Sequence, residues 1–144
     1  MSEEKSKIER TFVAIKPDGT KRKLVNKVIE KFENLNFDLK GLKLMTVTRE
    51  LAEKHYGEHK GKPFFDGLVD YIISGPIVAM AWEGNSIIEI TRKVVGATDP
   101  VKAAPGTIRG DFAISIAENI IHASDSPESS KRELELFFPE GLQG

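Results

Sequence analysis

Cysteine is absent from this 144-residue sequence, which excludes disulfides, thiolate catalysis and cysteine-based zinc sites. A large charge of one sign is missing too. Lys plus Arg number 21 against 22 for Asp plus Glu, a formal net charge of -1. Dedicated nucleic-acid binders need many cationic phosphate contacts, so this balance argues against that class. A small anionic ligand stays compatible, because it needs only a few well-placed cations. No apolar run approaches the roughly 20 residues of a membrane span. The first ten residues, Met1 to Arg10, are charged and hold one large aliphatic residue after Met1, Ile8, so they do not build a secretory signal. A cytoplasmic protein with no membrane partner is expected. Repeats, low-complexity tracts and interdomain linkers are also lacking. The length suits one domain spanning residues 1–144, with a polar leader over 1–9 and a short tail over 139–144.

What is present reads as alternating strands and helices. Thr11 to Ile15 is short, apolar and partly β-branched, as a buried strand should be, and it stops at the turn signal Pro17-Asp18-Gly19. Leu24, Val25, Val28, Ile29, Phe32 and Leu35 recur at helical spacing. Phe37 to Val47 alternates as a strand, with Gly41 marking a bulge. Two helical pieces follow, around Glu50 to Glu58 and Phe64 to Ile73. Gly75-Pro76 then breaks the chain before a central strand, Ile77 to Trp82. Ser86 and Glu89 have capping-box spacing at the start of a helix that Gly96 ends. Ala97 to Gly110 is a long loop, of the kind that is usually functional. A short strand near Asn119 to Ile121 precedes Ser126-Pro127, an N-cap and first helical position for a closing helix. This order predicts an α+β fold: a ferredoxin-like βαββαβ sandwich with a four-stranded antiparallel sheet and added helices.

Neither the Gly-Lys-Ser/Thr phosphate loop nor the Gly-x-Gly-x-x-Gly fingerprint occurs. Gly106 to Gly110 is glycine-rich but lacks the preceding strand and following lysine, so phosphate would be held by side chains. Three histidines are available, His55, His59 and His122. The first two have the i, i+4 spacing of helical metal ligands without the adjacent glutamate of a metalloprotease helix. A solvated helix face is the plainer reading of that pair. His122 follows an apolar strand and precedes a helix N-terminus, a place where side chains reach clefts and backbone N–H groups attract anions. Arg92 lies at the edge of a helix's apolar stripe and Arg109 in the long loop. Both carry the planar fork suited to phosphate, although a surface salt bridge is the ordinary role of either.

The run Asn119-Ile120-Ile121-His122-Ala123-Ser124-Asp125-Ser126 resembles the active-site signature of nucleoside diphosphate kinases. Thr11 to Gly19, His55-Tyr56, Pro63-Phe64-Phe65, Gly75 to Val78 and Pro105 to Asp111 match that family in order and spacing, from about Arg10 to Phe138. The resemblance implies transfer of phosphate from nucleoside triphosphates, mainly ATP, to nucleoside diphosphates through His122 phosphorylated on Nδ1. It implies that Glu133 orients the imidazole, with Lys16, Tyr56 and Ser124 in the catalytic group. Arg92 and Thr98 would hold the β-phosphate, and Arg109 would bridge toward the phosphate in flight. Lys16 and Asn119 would bind the ribose hydroxyls, Phe64 would stack on the base, and His55 would line the phosphate pocket with Tyr56. Mg²⁺ would arrive on the nucleotide phosphates with no direct protein ligand, Asp125 reaching it through water. A homo-oligomer, hexamer or tetramer, is implied as well.

Physical chemistry agrees with such roles. Neutral imidazole is a competent nucleophile, and a covalent intermediate lets one site serve donor and acceptor in turn. Stacking does not discriminate among bases, since every base has a π-face. The sequence departs from the family at Ala123, where glycine is usual; a positive φ there would strain alanine. An inert nucleotide-binding module would be favoured by loss of His122 or Arg109, and both are present. An RNA-binding sheet would need an aromatic strand motif and a basic face, and neither occurs.

Overall fold

The computed structural model describes residues 7–144. Residues 1–6 of the leader expected over 1–9 lie outside them. Strand β1 (Ile8–Ile15) is followed by a short helix, α1 (Pro17–Lys21), and by α2 (Val25–Asn34). Then come β2 (Asp38–Met45), α3 (Arg49–His55), a 3-10 turn (Gly57–His59), α4 (Phe65–Ile72), β3 (Ile77–Asn85) and α5 (Ile87–Val95). The chain closes with α6 (Ile108–Phe112), β4 (Ile121–Ala123) and α7 (Pro127–Phe137). The sheet order is β2-β3-β1-β4 with every neighbouring pair antiparallel, the α+β sandwich expected from the sequence.

The central strand explains both layers. Side chains alternate along β1, so Val13 and Ile15 enter one core with Val28, Phe32, Met80 and Trp82. Phe12 and Ala14 enter the other, with Val69, Ile77, Ala81 and Phe137. A strand buried on both faces reads as a continuous apolar run rather than an alternating one, which is why Thr11 to Ile15 carries so little polarity. Trp82 stacks on Phe32 with ring centroids 5.2 Å apart. On the opposite face Phe137 of α7 stacks on Phe12 at 4.5 Å. That second contact fixes α7 against the sheet.

Several expectations shift. β1 begins at Ile8 and β3 runs to Asn85, because the two pair continuously from Ile8 opposite Asn85 to Ile15 opposite Val78. Pro17-Asp18-Gly19, expected as a turn, begins a helical turn, Pro17–Lys21. The bulge is present: Leu39 opposes Trp82 while Gly41 opposes Ala81, leaving Lys40 extra. A Cβ on Gly41 would come within 2.8 Å of the Phe138 ring and 2.9 Å of Leu142, so glycine lets the C-terminal segment cross the bulge. The capping box at Ser86 does not form. With β3 continuing to Asn85, one residue must reverse the chain, and Ser86 does so at φ 54 with no side-chain cap bond. The Glu9 carboxylate accepts the Ile88 N–H instead, at 3.3 Å. Gly96 does end α5, at φ 92.

Candidate active site

Alternation in β4 places the central histidine. Ile121 and Ala123 enter the core beneath α2 and α5, so His122 between them faces the other layer, where α3 and α7 pack. The strand had been expected to end before His122; it contains it, opposite Ala14 of β1. Residues 119 to 121 make a turn instead. The Ile121 N–H donates to the Asn119 carbonyl at 2.8 Å, across Ile120 at φ 76. That is a three-residue γ-turn in its rare positive-φ form. Ala123 has no positive φ, so alanine is unstrained there.

On α7, Ser126 accepts the Ser129 N–H at 3.1 Å, and the Ser129 hydroxyl accepts the Ser126 N–H at 3.1 Å. This N-cap directs the helix back along the sheet and brings Glu133 to His122. Nε2 of His122 lies 3.0 Å from Glu133 Oε1. Ser124 donates its hydroxyl to the same oxygen at 2.6 Å. Burial pushes the Glu133 carboxyl up, but the His122 and Ser124 hydrogen bonds and the nearby histidines outweigh it and leave it below the ordinary carboxylate range. An ionised Glu133 accepts the Nε2–H and leaves Nδ1 with no protein hydrogen-bond partner among the described residues.

Lys16, His55, Tyr56, His122 and Glu133 line one cavity of about 230 Å³, together with Glu58, His59, Asp125 and Arg132. Lys16 donates to Asn119 Oδ1 at 2.9 Å. Burial, then the Arg109 charge, lower its amine to about 8. Burial and the Glu133 charge push the Tyr56 phenol up to about 12. His55 and His59 do not share a solvated helix face as the plain reading of their spacing held. His55 ends α3 and is buried, with its ring 4.8 Å from that of His122, while His59 lies in the following 3-10 turn. Burial and the facing His122 lower the His55 imidazole to about 3, which keeps it neutral.

The remaining candidates divide. Asn119 is buried, and its amide donates to the Thr98 carbonyl at 3.2 Å. Arg109 belongs to α6 rather than to a loop, and is buried. It donates to the carbonyls of Ile121 (2.6 Å), Gly96 (3.2 Å) and Asn119 (3.3 Å). Two of its five N–H groups are left for a ligand. Burial and the Arg92 charge lower it to about 10. Arg92 and Thr98 line a separate shallow cavity of about 450 Å³, and Arg92 donates to the Ala123 carbonyl at 3.3 Å. Phe64 stands on the rim, 50% exposed, edge-on to His59 at 5.2 Å. Ser124 is fully buried behind Glu133, so its place is to hold that carboxylate rather than to touch a ligand.

Two residues went unnoticed. Asp18, read as a turn former, is buried and accepts the Ile120 N–H at 3.0 Å. Arg132 lines the His122 cavity and donates to the Lys54 and His55 carbonyls at 3.3 and 3.4 Å, tying α7 to the end of α3. Aspartate in a Pro-Asp-Gly turn is ordinary turn chemistry, so neither Asp18 nor Arg132 offered a sequence signal.

A family model described as nucleoside diphosphate kinase matches residues 9–142. The chain belongs to the nucleoside diphosphate kinase family. It is accordingly an enzyme, a nucleoside-diphosphate kinase acting on nucleotides. It is 59% identical over 133 residues to the nucleoside diphosphate kinase of Carboxydothermus hydrogenoformans, covering 92% of this chain and 89% of that one. It is 60% identical over 131 residues to that of Thermosynechococcus vestitus, covering 91% and 87%. Among solved structures it is similar to a nucleoside diphosphate kinase family protein from Babesia bovis, with TM-score 0.92, 45% identity, and 94% and 93% of the two chains covered. It is also similar to a halophilic nucleoside diphosphate kinase from Halobacterium salinarum in complex with CDP, with TM-score 0.91, 46% identity, and 94% and 91% covered. Among the described residues no helix is long and apolar enough to cross a membrane.

Proposed function

We propose that the enzyme works by ping-pong transfer through a phosphohistidine on His122. The observation that carries this is the 3.0 Å contact between His122 Nε2 and Glu133, which commits one ring nitrogen and leaves the other free. In the first half-reaction the Nδ1 lone pair attacks the γ-phosphorus of a triphosphate, mainly ATP. The bond to the β,γ-bridging oxygen breaks, and the diphosphate leaves with that electron pair. Glu133 holds the Nε2 proton and offsets the positive charge that develops on the ring. In the second half-reaction a terminal oxygen of another nucleoside diphosphate attacks the phosphohistidine and regenerates the free ring. The work is alignment and charge neutralisation, supplied by Lys16 beside the nucleophile, the two uncommitted N–H groups of Arg109, and Arg92 and Thr98 on the outer cavity. Tyr56 and His55 wall the pocket, Asn119 shares the ribose with Lys16, and Phe64 stacks on the base without selecting it. The CDP held by the Halobacterium salinarum relative is consistent with such tolerance.

Mg²⁺ fits as a companion of the nucleotide. It prefers several oxygen ligands, and the carboxylates lining the pocket besides the bonded Glu133 are only Glu58 and Asp125. Most ligands would therefore be phosphate oxygens and water, with Asp125 reached through water; the ion would neutralise phosphate charge. Copies of the chain would associate, as a hexamer or tetramer, through edge strand β2, where Leu42 and Leu44 are 52% and 74% exposed. Sedimentation velocity reads that directly, and a monomer would refute it.

Incubation with radiolabelled ATP and Mg²⁺ tests the mechanism. The enzyme should take up an acid-labile, alkali-stable label that unlabelled GDP, CDP or UDP, or their deoxy forms, discharge. His122→Ala should take up none; an acid-stable label, or labelling of that variant, would refute the reading.

A further inference from the structure

The γ-turn just before the nucleophile is held from four sides. A β-branched residue at positive φ is an outlier that persists only when its surroundings over-determine it. Ile120 is such a residue, at φ 76 and fully buried. Its N–H donates to Asp18 Oδ2 at 3.0 Å, and its carbonyl accepts the Lys16 N–H at 2.7 Å. The carbonyls on either side of it, of Asn119 and Ile121, both accept from Arg109. Asp18 is itself fixed, because its own N–H donates to the Tyr71 hydroxyl at 3.1 Å. Three of these four anchors are backbone groups or a residue already assigned to phosphate. Asp18 is the one side chain on the turn with no role in the reaction.

We infer that Asp18 is a positioning residue for phosphotransfer: by accepting the Ile120 N–H it holds the strained turn that sets His122 on the cavity side of β4. Register makes this hold matter. β4 has only three residues, pairing Ile121, His122 and Ala123 with Ile15, Ala14 and Val13. Side chains alternate with a period of two, so a slip of one residue would swap His122 with its apolar neighbours across the sheet. The turn consumes the chain between Asn119, bonded through its side chain to Lys16, and Ile121, the first paired residue. Relaxing Ile120 to an extended backbone lengthens that segment and loosens both ends. A buried carboxylate makes the stronger, charge-assisted bond to the N–H, and so opposes the relaxation.

The inference rests on His122 as the phosphate carrier, and single-turnover labelling separates the two claims. With Mg²⁺ and radiolabelled ATP, the phosphorylation rate constant and the nucleotide dissociation constant are measured separately. Asp18→Ala should lower the rate constant tenfold or more while the dissociation constant stays within threefold. Asp18→Asn, which keeps an oxygen acceptor, should lose only about threefold. Glycine adopts positive φ without a Cβ penalty. In an Ile120→Gly chain, the further loss from Asp18→Ala should therefore shrink to about twofold. Equal losses in the two backgrounds, or Asp18→Asn as slow as Asp18→Ala, would overturn the inference, since Asp18 would then act through the charge of nearby Lys16. Should Asp18→Ala not fold, the same comparison is made with Asp18→Asn, whose threefold loss should vanish in the Ile120→Gly chain and whose persistence there would overturn the inference equally. If the unaltered enzyme takes up no label on His122, the mechanism fails rather than this assignment alone.

Discussion

The inner end of the site and its rim are built differently. Around His122 four polar side chains are bonded before any nucleotide arrives: Glu133 to His122 and Ser124, Lys16 to Asn119, Asn119 to Thr98, and Arg109 to three carbonyls. At the rim, Phe64 is half exposed and Arg92 and Thr98 are exposed, with only the Arg92 side chain reaching back, to the Ala123 carbonyl. The difference separates two tasks. A nucleophile must already be aligned when the phosphate reaches it, because misplacement by an ångström costs rate steeply. A base and its phosphates can order the side chains that grip them, at a cost that appears in affinity. Damage to the inner end should therefore appear in the rate of phosphorylation, and damage to the rim in substrate concentration dependence.

Glu133→Gln is the strongest way to break that division. The amide keeps the shape and can still accept the His122 N–H, but it cannot balance the positive charge on the phosphorylated ring. Phosphorylation of His122 should slow at least tenfold, about 1.4 kcal/mol of barrier, while nucleotide affinity changes little. Rapid-quench labelling measures the first and equilibrium binding the second. An unchanged rate would reduce Glu133 to a structural partner of Ser124; a change confined to affinity would erase the distinction between the two regions.

The committed inner end also makes a demand on stability that the open rim does not. His55 is buried against His122, with Glu133, Arg132 and Lys16 as its other charged neighbours, and its imidazole is lowered to about 3. The unfolded chain takes up that proton near the ordinary value of about 6.5, so between these two values the unfolded state binds more protons. Stability is then full above about 6.5 and is lost as the pH falls toward 3, by about 1.4 kcal/mol per pH unit within the window. The melting temperature should drop more steeply between pH 6.5 and 5 in the unaltered chain than in His55→Gln. Parallel curves would mean that His55 finds a way to charge in the folded state.

The inner end and the rim also differ in how far the sequence foretold them. Periodicity located β1, β2, β3 and the larger helices, because the buried faces of Thr11 to Ile15, Val28 to Phe32 and Ile77 to Trp82 are the core itself. The signature around His122 pointed to the residue proposed as the nucleophile, and the Ser126-Pro127 cap gave α7 its start. What stayed hidden depends on partners distant in sequence. Nothing near Ser86 reveals that Glu9 will cap α5. No local pattern announces that Ile120 will take a positive φ, since its propensity opposes it and the bonds enforcing it come from Lys16 and Asp18, more than a hundred residues earlier. His55 and His59 misled because a helix was assumed to continue where α3 ends. Arg109 was placed in a loop, with a surface salt bridge as its ordinary role, because three backbone carbonyls cannot be foreseen as its partners.

Phe64→Ala gives the smallest effect and the sharpest test of the rim. Phe64 precedes α4 and touches His59 edge-on at 5.2 Å, with half its surface open. Base-aromatic stacking is worth about 1–3 kcal/mol by alanine substitution. A ring open on one side belongs near the lower figure, so KM should rise about fivefold to tenfold. Stacking is as strong before phosphate transfer as during it, and binding that is uniform between ground and transition states changes KM without changing kcat. The kcat should accordingly stay within about twofold. Because every base presents a π-face, the rise should be similar for guanine, cytosine and uracil nucleotides, which separates stacking from any hydrogen-bonded readout. Thermal stability should hold, since the removed ring lies outside both cores. Steady-state kinetics with three acceptor diphosphates at fixed ATP provides the measurement. A kcat that falls with KM would mean that Phe64 transmits its contact inward to the cavity holding His122, by way of the His59 ring that lines it, and the rim would then belong to the catalytic end.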